Sequence, residues 1–169
     1  MIQEELKENK EDEKEELKEL LSQYFKEKRR KRLLENRRME IISEFSTPIN
    51  SKGYSMIPNS TTNKVGLGSA SIVMRLAEIE ERINIQRDIA AKEMIKIMDI
   101  LDFLPRESTE RAILELRYID CKDWIYIQKA MHLTKSPCFD YLNKGIDLLL
   151  KYKKVHVLIS EYNTHKKIS

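Results

Sequence analysis

The placement of chain-breaking residues constrains this chain more than any other feature. Three of its four glycines and two of its four prolines fall in one stretch, STPINSKGYSMIPNSTTNKVGLG, residues 46–68. With so few turn residues elsewhere, short strands and tight hairpins are excluded and long helices are what the remaining length permits. A connection of that length without periodicity is long for one domain, so 46–68 reads as a linker. The predicted fold is all-α. It has a charged helical arm at 1–45, the linker, a connecting coiled-coil-like helix at 69–103, a compact helical domain at 104–153 and a tail at 154–169.

The best helix by pattern is 69–101. Ile72, Leu76, Ile79, Ile83, Ala90, Ile97 and Ile100 alternate three- and four-residue steps, with Gln86 and Glu93 in the two remaining seam positions. That is a heptad pattern with polar interruptions, and Ser69 or Ser71 suits its cap. Either the helix lies against its own domain or the stripe is the seam of a homo-oligomer. The seam is the sharper expectation, although Ile85, Ile89 and Met94 offer a second strip to the domain. The arm is thinner: Leu6, Leu17, Leu20, Leu21, Tyr24, Leu34, Ile41, Ile42 and Phe45 recur at loosely helical spacing. So polar a segment cannot bury itself alone. It pairs in an oligomer or stays partly frayed.

A net charge of +3 hides strong patterning. Residues 1–19 hold nine acids and four lysines, whereas 26–38 hold eight basic residues against Glu27 and Glu35. Such asymmetry suits a nucleic-acid surface or a charged interaction tail, the alternative being a solvated face. Arg29, Arg30, Lys31 and Arg32 are the candidates for phosphate contact.

Residues 104–153 read as three short helices. Pro105 suits a first-turn position. Ala112, Ile113, Leu116 and Ile119 give the first an inner face. Trp124, Ile127, Ala130 and Met131 do so for the second, and Cys138, Leu142, Gly145, Ile146 and Leu149 for the third. Only His132-Leu133-Thr134 separates the second from the third, which is the signature of a helix-turn-helix. Thr134 is placed to cap the third helix with its hydroxyl. That helix would then offer its first turns to the major groove of double-stranded DNA. Ser136, Asp140, Asn143 and Asp147 fall opposite the inner face, flanked by Lys135 and Lys144. Asn143 has the chemistry to pair with adenine, and Lys135 to reach guanine or phosphate. Asp140 either accepts from a cytosine amino group or is a solvated acid. The DNA-contact set is Thr134, Lys135, Ser136, Phe139, Asp140, Asn143 and Lys144, with the arm quartet.

Other chemistry finds little support. His132, His156 and His165 lack partners at ligand spacing, and Cys121 and Cys138 form no paired framework. No metal, cofactor or enzymatic activity is expected, since nucleotide loops and nucleophile elbows are absent from the sequence. No apolar run approaches the ~18 residues of a membrane span, and no signal peptide opens the chain. A cytoplasmic location fits. Cys138 and Trp124 read as core residues, against a reactive thiol and a base-stacking platform. The segment HVLISEYN is left between a short strand and a frayed helical end.

The stretch LPRESTERAILELRYIDCKDWIYIQKAMHLTKSPCFDYLNKGIDLL resembles the promoter-binding region four of bacterial sigma factors. The resemblance lies in its Leu-Pro start, the Leu-Glu-Leu-Arg-Tyr run at 114–118, Asp123-Trp124 and the turn Leu133-Thr134-Lys135-Ser136. Over residues 20–153 the arrangement is similar to phage late-transcription regulators of the RinA/ArpU type. That resemblance implies a phage or prophage activator working in a bacterial host cell and touching RNA polymerase. An oligomer would set two motifs on half-sites about one turn, ~34 Å, apart. His132 stands where the motif usually has glycine, Gln128 where a small residue is expected, and Asp140 where the family often has a basic one. Two further readings are a sigma-like factor acting with polymerase core, and a small terminase-type packaging protein. A third is an interaction protein that has lost DNA binding.

Overall fold

The computed structural model describes residues 2–46 and 64–168, and among these the fold is all-α, with no strand. The charged arm is two helices, α1 (Ile2–Leu21) and α2 (Gln23–Ser46). Only Ser22 parts them, its hydroxyl turned back on the Glu19 carbonyl at 2.8 Å. The connecting helix α3 (Lys64–Leu101) starts inside the predicted linker, whose residues 47–63 lie outside the described residues. Then follow α4 (Thr109–Leu114), a wide π-type turn (Glu115–Ile119), α5 (Trp124–Met131), α6 (Lys135–Leu149) and α7 (Lys153–Ile168). The chain forms two compact units, one of Met1–Glu27 with Ala90–Ser169, the other of Lys28–Ile89.

The core of the first unit is not confined to 104–153. Leu17, Leu20 and Leu21 of α1 sit in one cluster with Ile97, Ile100 and Leu101 of α3, Ile113 and Leu114 of α4, and Ile127 of α5. Cys138, Leu142, Ile146 and Leu149 of α6 join them, as do Val155 and Ile159 of α7. The arm's thin stripe is therefore thin because three leucines at i, i+3 and i+4 suffice to dock one helix on a core that other helices build. At ~1.5–3 kcal/mol for each buried leucine, docking α1 is a major term for this unit. Polar links fix its register, Lys14 with Asp147 of α6 at 3.0 Å and Glu19 with Lys166 of α7 at 2.7 Å, and just beyond its end Gln23 Nε2 of α2 donates to the Tyr162 hydroxyl of α7 at 2.7 Å.

One local expectation is corrected, and one segment left open by the sequence is assigned. Pro105 does not open α4. It starts the turn before it, its carbonyl accepting both the backbone N–H and the hydroxyl of Ser108 at 3.1 and 2.8 Å. Ser108 is the cap, accepting from the Arg111 N–H at 3.2 Å. Arg111 then ties this loop to α4, pairing with Asp102 at 2.7 Å and Glu115 at 2.6 Å. The segment HVLISEYN is the middle of α7. Its apparent alternation came from Val157, an exposed apolar residue, whereas the buried Val155 and Ile159 follow a helical step.

Gly145 is where α4 and α6 approach each other. A Cβ there would stand 2.8 Å from Leu114 Cδ1 and 3.3 Å from Glu110 Cβ. The helix-weakening glycine is thus the residue that lets the two helices close.

The second unit holds α2 from Lys28 onward and α3 up to Ile89. Ile79 is buried and Ile72, Leu76, Ile83 and Gln86 half-buried, as are Leu34, Ile41 and Ile42 of α2. Arg38 bridges to Glu80 at 2.9 Å. In the first unit, Ala90, Ile97 and Ile100 are likewise buried. The stripe expected as an oligomer seam is thus buried at Ile79, Ala90, Ile97 and Ile100 and half-buried at its other positions. Its end in the first unit lies against its own domain, as the alternative reading has it.

Candidate nucleic-acid interface

Three devices in the first unit set the attitude of α6. The π-type turn closes with the Asp120 N–H on the Glu115 carbonyl and the Lys122 N–H on the Leu116 carbonyl, both at 2.9 Å. Cys121 follows at φ 56°, a left-handed conformation unusual for a residue with a side chain. Arg117 spans the strained corner: its Nη1 donates to the Lys122 carbonyl at 3.1 Å and its guanidinium lies 5.1 Å from the centre of the Trp124 ring. Asp123 then caps α5, accepting from the Tyr126 N–H at 2.7 Å. Asp123 and Trp124 thus open the second helix where the sequence places them.

The turn between α5 and α6 is His132, Leu133 and Thr134. His132 takes the left-handed conformation, φ 54°, in the glycine position. Its N–H reaches the Lys129 carbonyl at 3.4 Å and the Leu133 N–H reaches that of Gln128 at 3.0 Å. These are the paired closing bonds of a Schellman motif. Leu133 packs on the core behind. Thr134 has the backbone of a cap, φ −79° and ψ 173°, but its hydroxyl makes no capping bond. The expectation that the hydroxyl caps α6 is corrected. It is exposed beside the first turn instead. In the next turn Phe139 packs tilted against Trp124, ring centres 4.2 Å apart, with Lys135 Nζ 5.8 Å from the Phe139 ring. Phe139 is half-buried and braces α6 on α5.

The predicted outer strip of α6 divides in two. Lys135, Ser136, Asp140 and Asn143 are exposed. The other two are engaged with neighbouring helices. Lys144 pairs with Glu110 of α4 at 2.5 Å, and Asp147 with Lys14 of α1. The Lys144 ammonium holds the Glu110 carboxyl below its ordinary value, aided by the backbone N–H of Glu110 itself. Glu110 is otherwise buried. Burial pushes the Cys138 thiol up, as suits a core residue. Lys122, Ile125, Tyr126 and Lys129 lie in or beside α5, with Lys122 Nζ 4.7 Å from the Tyr126 ring. Sequence reasoning passed over Ile125 and Tyr126, although two large side chains opposite Ile127 on so short a helix are a readable signal.

The arm quartet belongs to the other unit. Arg29, Arg30 and Arg32 are exposed, and Lys31 is half-buried and paired with Glu35 at 3.0 Å. Among the described residues, no three His, Cys, Asp or Glu gather as a metal site, and no helix is long and apolar enough to cross a membrane. No protein-family model matches the chain, and neither a curated protein nor a solved structure is significantly similar to it. A functional reading must therefore rest on the residues themselves.

Proposed function

We propose that the protein is a sequence-specific binder of double-stranded DNA that regulates transcription, with the first half of α6 as the reading element. The observation that carries this is the exposed row Lys135, Ser136, Asp140 and Asn143, on a helix braced by α5 through a three-residue turn. Those side chains supply a cation, a hydroxyl, a carboxylate and an amide, the groups that base edges in the major groove distinguish. Arg29, Arg30, Lys31 and Arg32 would add phosphate contacts that carry no sequence information. A promoter-proximal target, contact with RNA polymerase and late-gene activation in a phage or prophage rest on the resemblance of residues 20–153 alone.

The test begins with selection of a binding site from a random duplex library, using the full chain. Asn143→Ala and Lys135→Ala should each weaken binding to that site by ~1–3 kcal/mol if they contact bases, and relax selection at one position. Lys144→Ala is a poor probe, because it also strips Glu110 of its partner. Unchanged affinity and selectivity in both variants, with helicity intact, would remove α6 as the reader.

A further inference from the structure

The last turns of α3 and the first turns of α7 border a cleft of about 530 Å³, lined by Asp99, Asp102, Phe103, Lys153, Lys154, Val157 and Leu158. The whole cleft lies within the first unit. Its floor is apolar, and Phe103 stacks on Tyr152 at 4.8 Å. Around it stand apolar side chains in solvent, Val157 at 56% exposure, Met98 at 45% and Tyr152 at 41%. Exposed apolar groups gathered at a concave place, with charges at its edge, mark an interaction surface. The charges are segregated: the α3 rim carries Asp99 and Asp102, and the α7 rim carries Lys153 and Lys154.

That segregation says what fits. A uniformly acidic partner meets repulsion on one rim, and a uniformly basic one on the other. A patch with an apolar centre, an acidic side and a basic side is complementary to itself after a half-turn. The aspartates of one copy then face the lysines of the next, twice over, while the exposed apolar side chains around the cleft, Val157, Met98 and Tyr152, meet. We propose that this cleft is the docking surface for a second copy of this chain, related by a two-fold axis. It is separate from the α3 stripe. It uses none of the residues assigned to DNA, and its test contains no DNA, so it stands or falls apart from that reading.

The experiment is sedimentation velocity on the full chain at micromolar concentration, with circular dichroism as the check on folding. Wild type should run as a dimer. Asp99→Lys alone, and Lys153→Glu with Lys154→Glu, should each run as a monomer of unchanged helicity, because like charges then meet at both symmetric contacts. Asp102 is left in place, since it also holds Arg111. Mixing the two variants should restore a dimer, now a heterodimer, because position 99 then meets opposite charge at both contacts, the Asp102 charge being met by Arg111 within each copy. Val157→Asp should dissociate the dimer and not be rescued by either partner. A monomeric wild type, a dimer indifferent to these changes, or two monomeric variants that stay apart when mixed would each overturn the proposal.

Discussion

Gly145→Ala gives a test whose sign separates two accounts of one residue. On helix propensity alone alanine should stabilise α6 by ~1 kcal/mol. The structure predicts the opposite. The new methyl group would lie 2.8 Å from Leu114 Cδ1, inside any normal carbon–carbon contact, and 3.3 Å from Glu110 Cβ. Leu114 is wholly buried and cannot swing into solvent. Relief requires α4 and α6 to separate, and overpacking of this kind costs ~1–3 kcal/mol. Set against the propensity gain, the net effect is between about zero and 2 kcal/mol of destabilisation, and a loss of 1 kcal/mol lowers Tm by roughly 2–4 °C in a chain of this size. Thermal unfolding followed by circular dichroism measures it. Leu114→Ala removes the clashing atom, so Gly145→Ala should cost less in that background, and the difference is the coupling energy of the pair. A higher Tm for Gly145→Ala, or costs that simply add, would refute the close-approach account.

Other outcomes follow from the same packing. Leu17→Ala should destabilise the first unit by ~2–5 kcal/mol in denaturant titration, the range for a fully buried leucine, where a frayed arm would show no change. Glu110 has a folded pKa below its unfolded one, so its contribution is present above roughly pH 4.3 and is lost as pH falls through the lower folded value. The Tm of wild type should therefore fall more steeply than that of Glu110→Gln on acidification below about pH 4.3, and parallel curves would mean that the Lys144 pair adds nothing. Replacing Arg29, Arg30, Lys31 and Arg32 by glutamine should weaken binding equally on all duplexes and reduce the salt slope by ~0.9 for each phosphate that is no longer neutralised. An unaltered slope would mean that the quartet does not touch DNA.

Much of the fold was legible because periodicity is a local property. The α3 stripe names the less exposed face of the helix from Ile72 to Ile100, buried at Ile79, Ala90, Ile97 and Ile100. What periodicity cannot name is the surface that covers it, because a helix of the same chain and a helix of another copy satisfy the stripe equally. The same blindness made α1 look like an arm. Leu17, Leu20 and Leu21 are too few to form a core, and only the three-dimensional assembly shows that α3, α4, α6 and α7 supply the remainder. The resemblance puts His132 where the motif usually has glycine, and the residue takes the left-handed conformation there. The π-type turn and the strained Cys121 were not legible, since no residue type at 115–121 demands them.

The candidate reading face was half legible, for a related reason. A helical wheel assigns Ser136, Asp140, Asn143 and Asp147 to one strip with Lys144 at its edge, as though α6 were bare along its length. Past Asn143 two of its outer side chains are paired from two directions, Lys144 with Glu110 of α4 and Asp147 with Lys14 of α1, though Lys144 stays exposed. Each of these pairs joins a residue far away in sequence, and neither spacing nor composition points to it. The consequence is geometric. On the proposed reading, Lys135, Ser136, Asp140 and Asn143 are the exposed side chains that would reach bases, while Lys144 and Asp147 are tied to neighbouring helices. The paired residues instead set how firmly that end is held. Substitutions at Lys144 or Asp147 should therefore move stability before selectivity, and substitutions at Asn143 selectivity before stability.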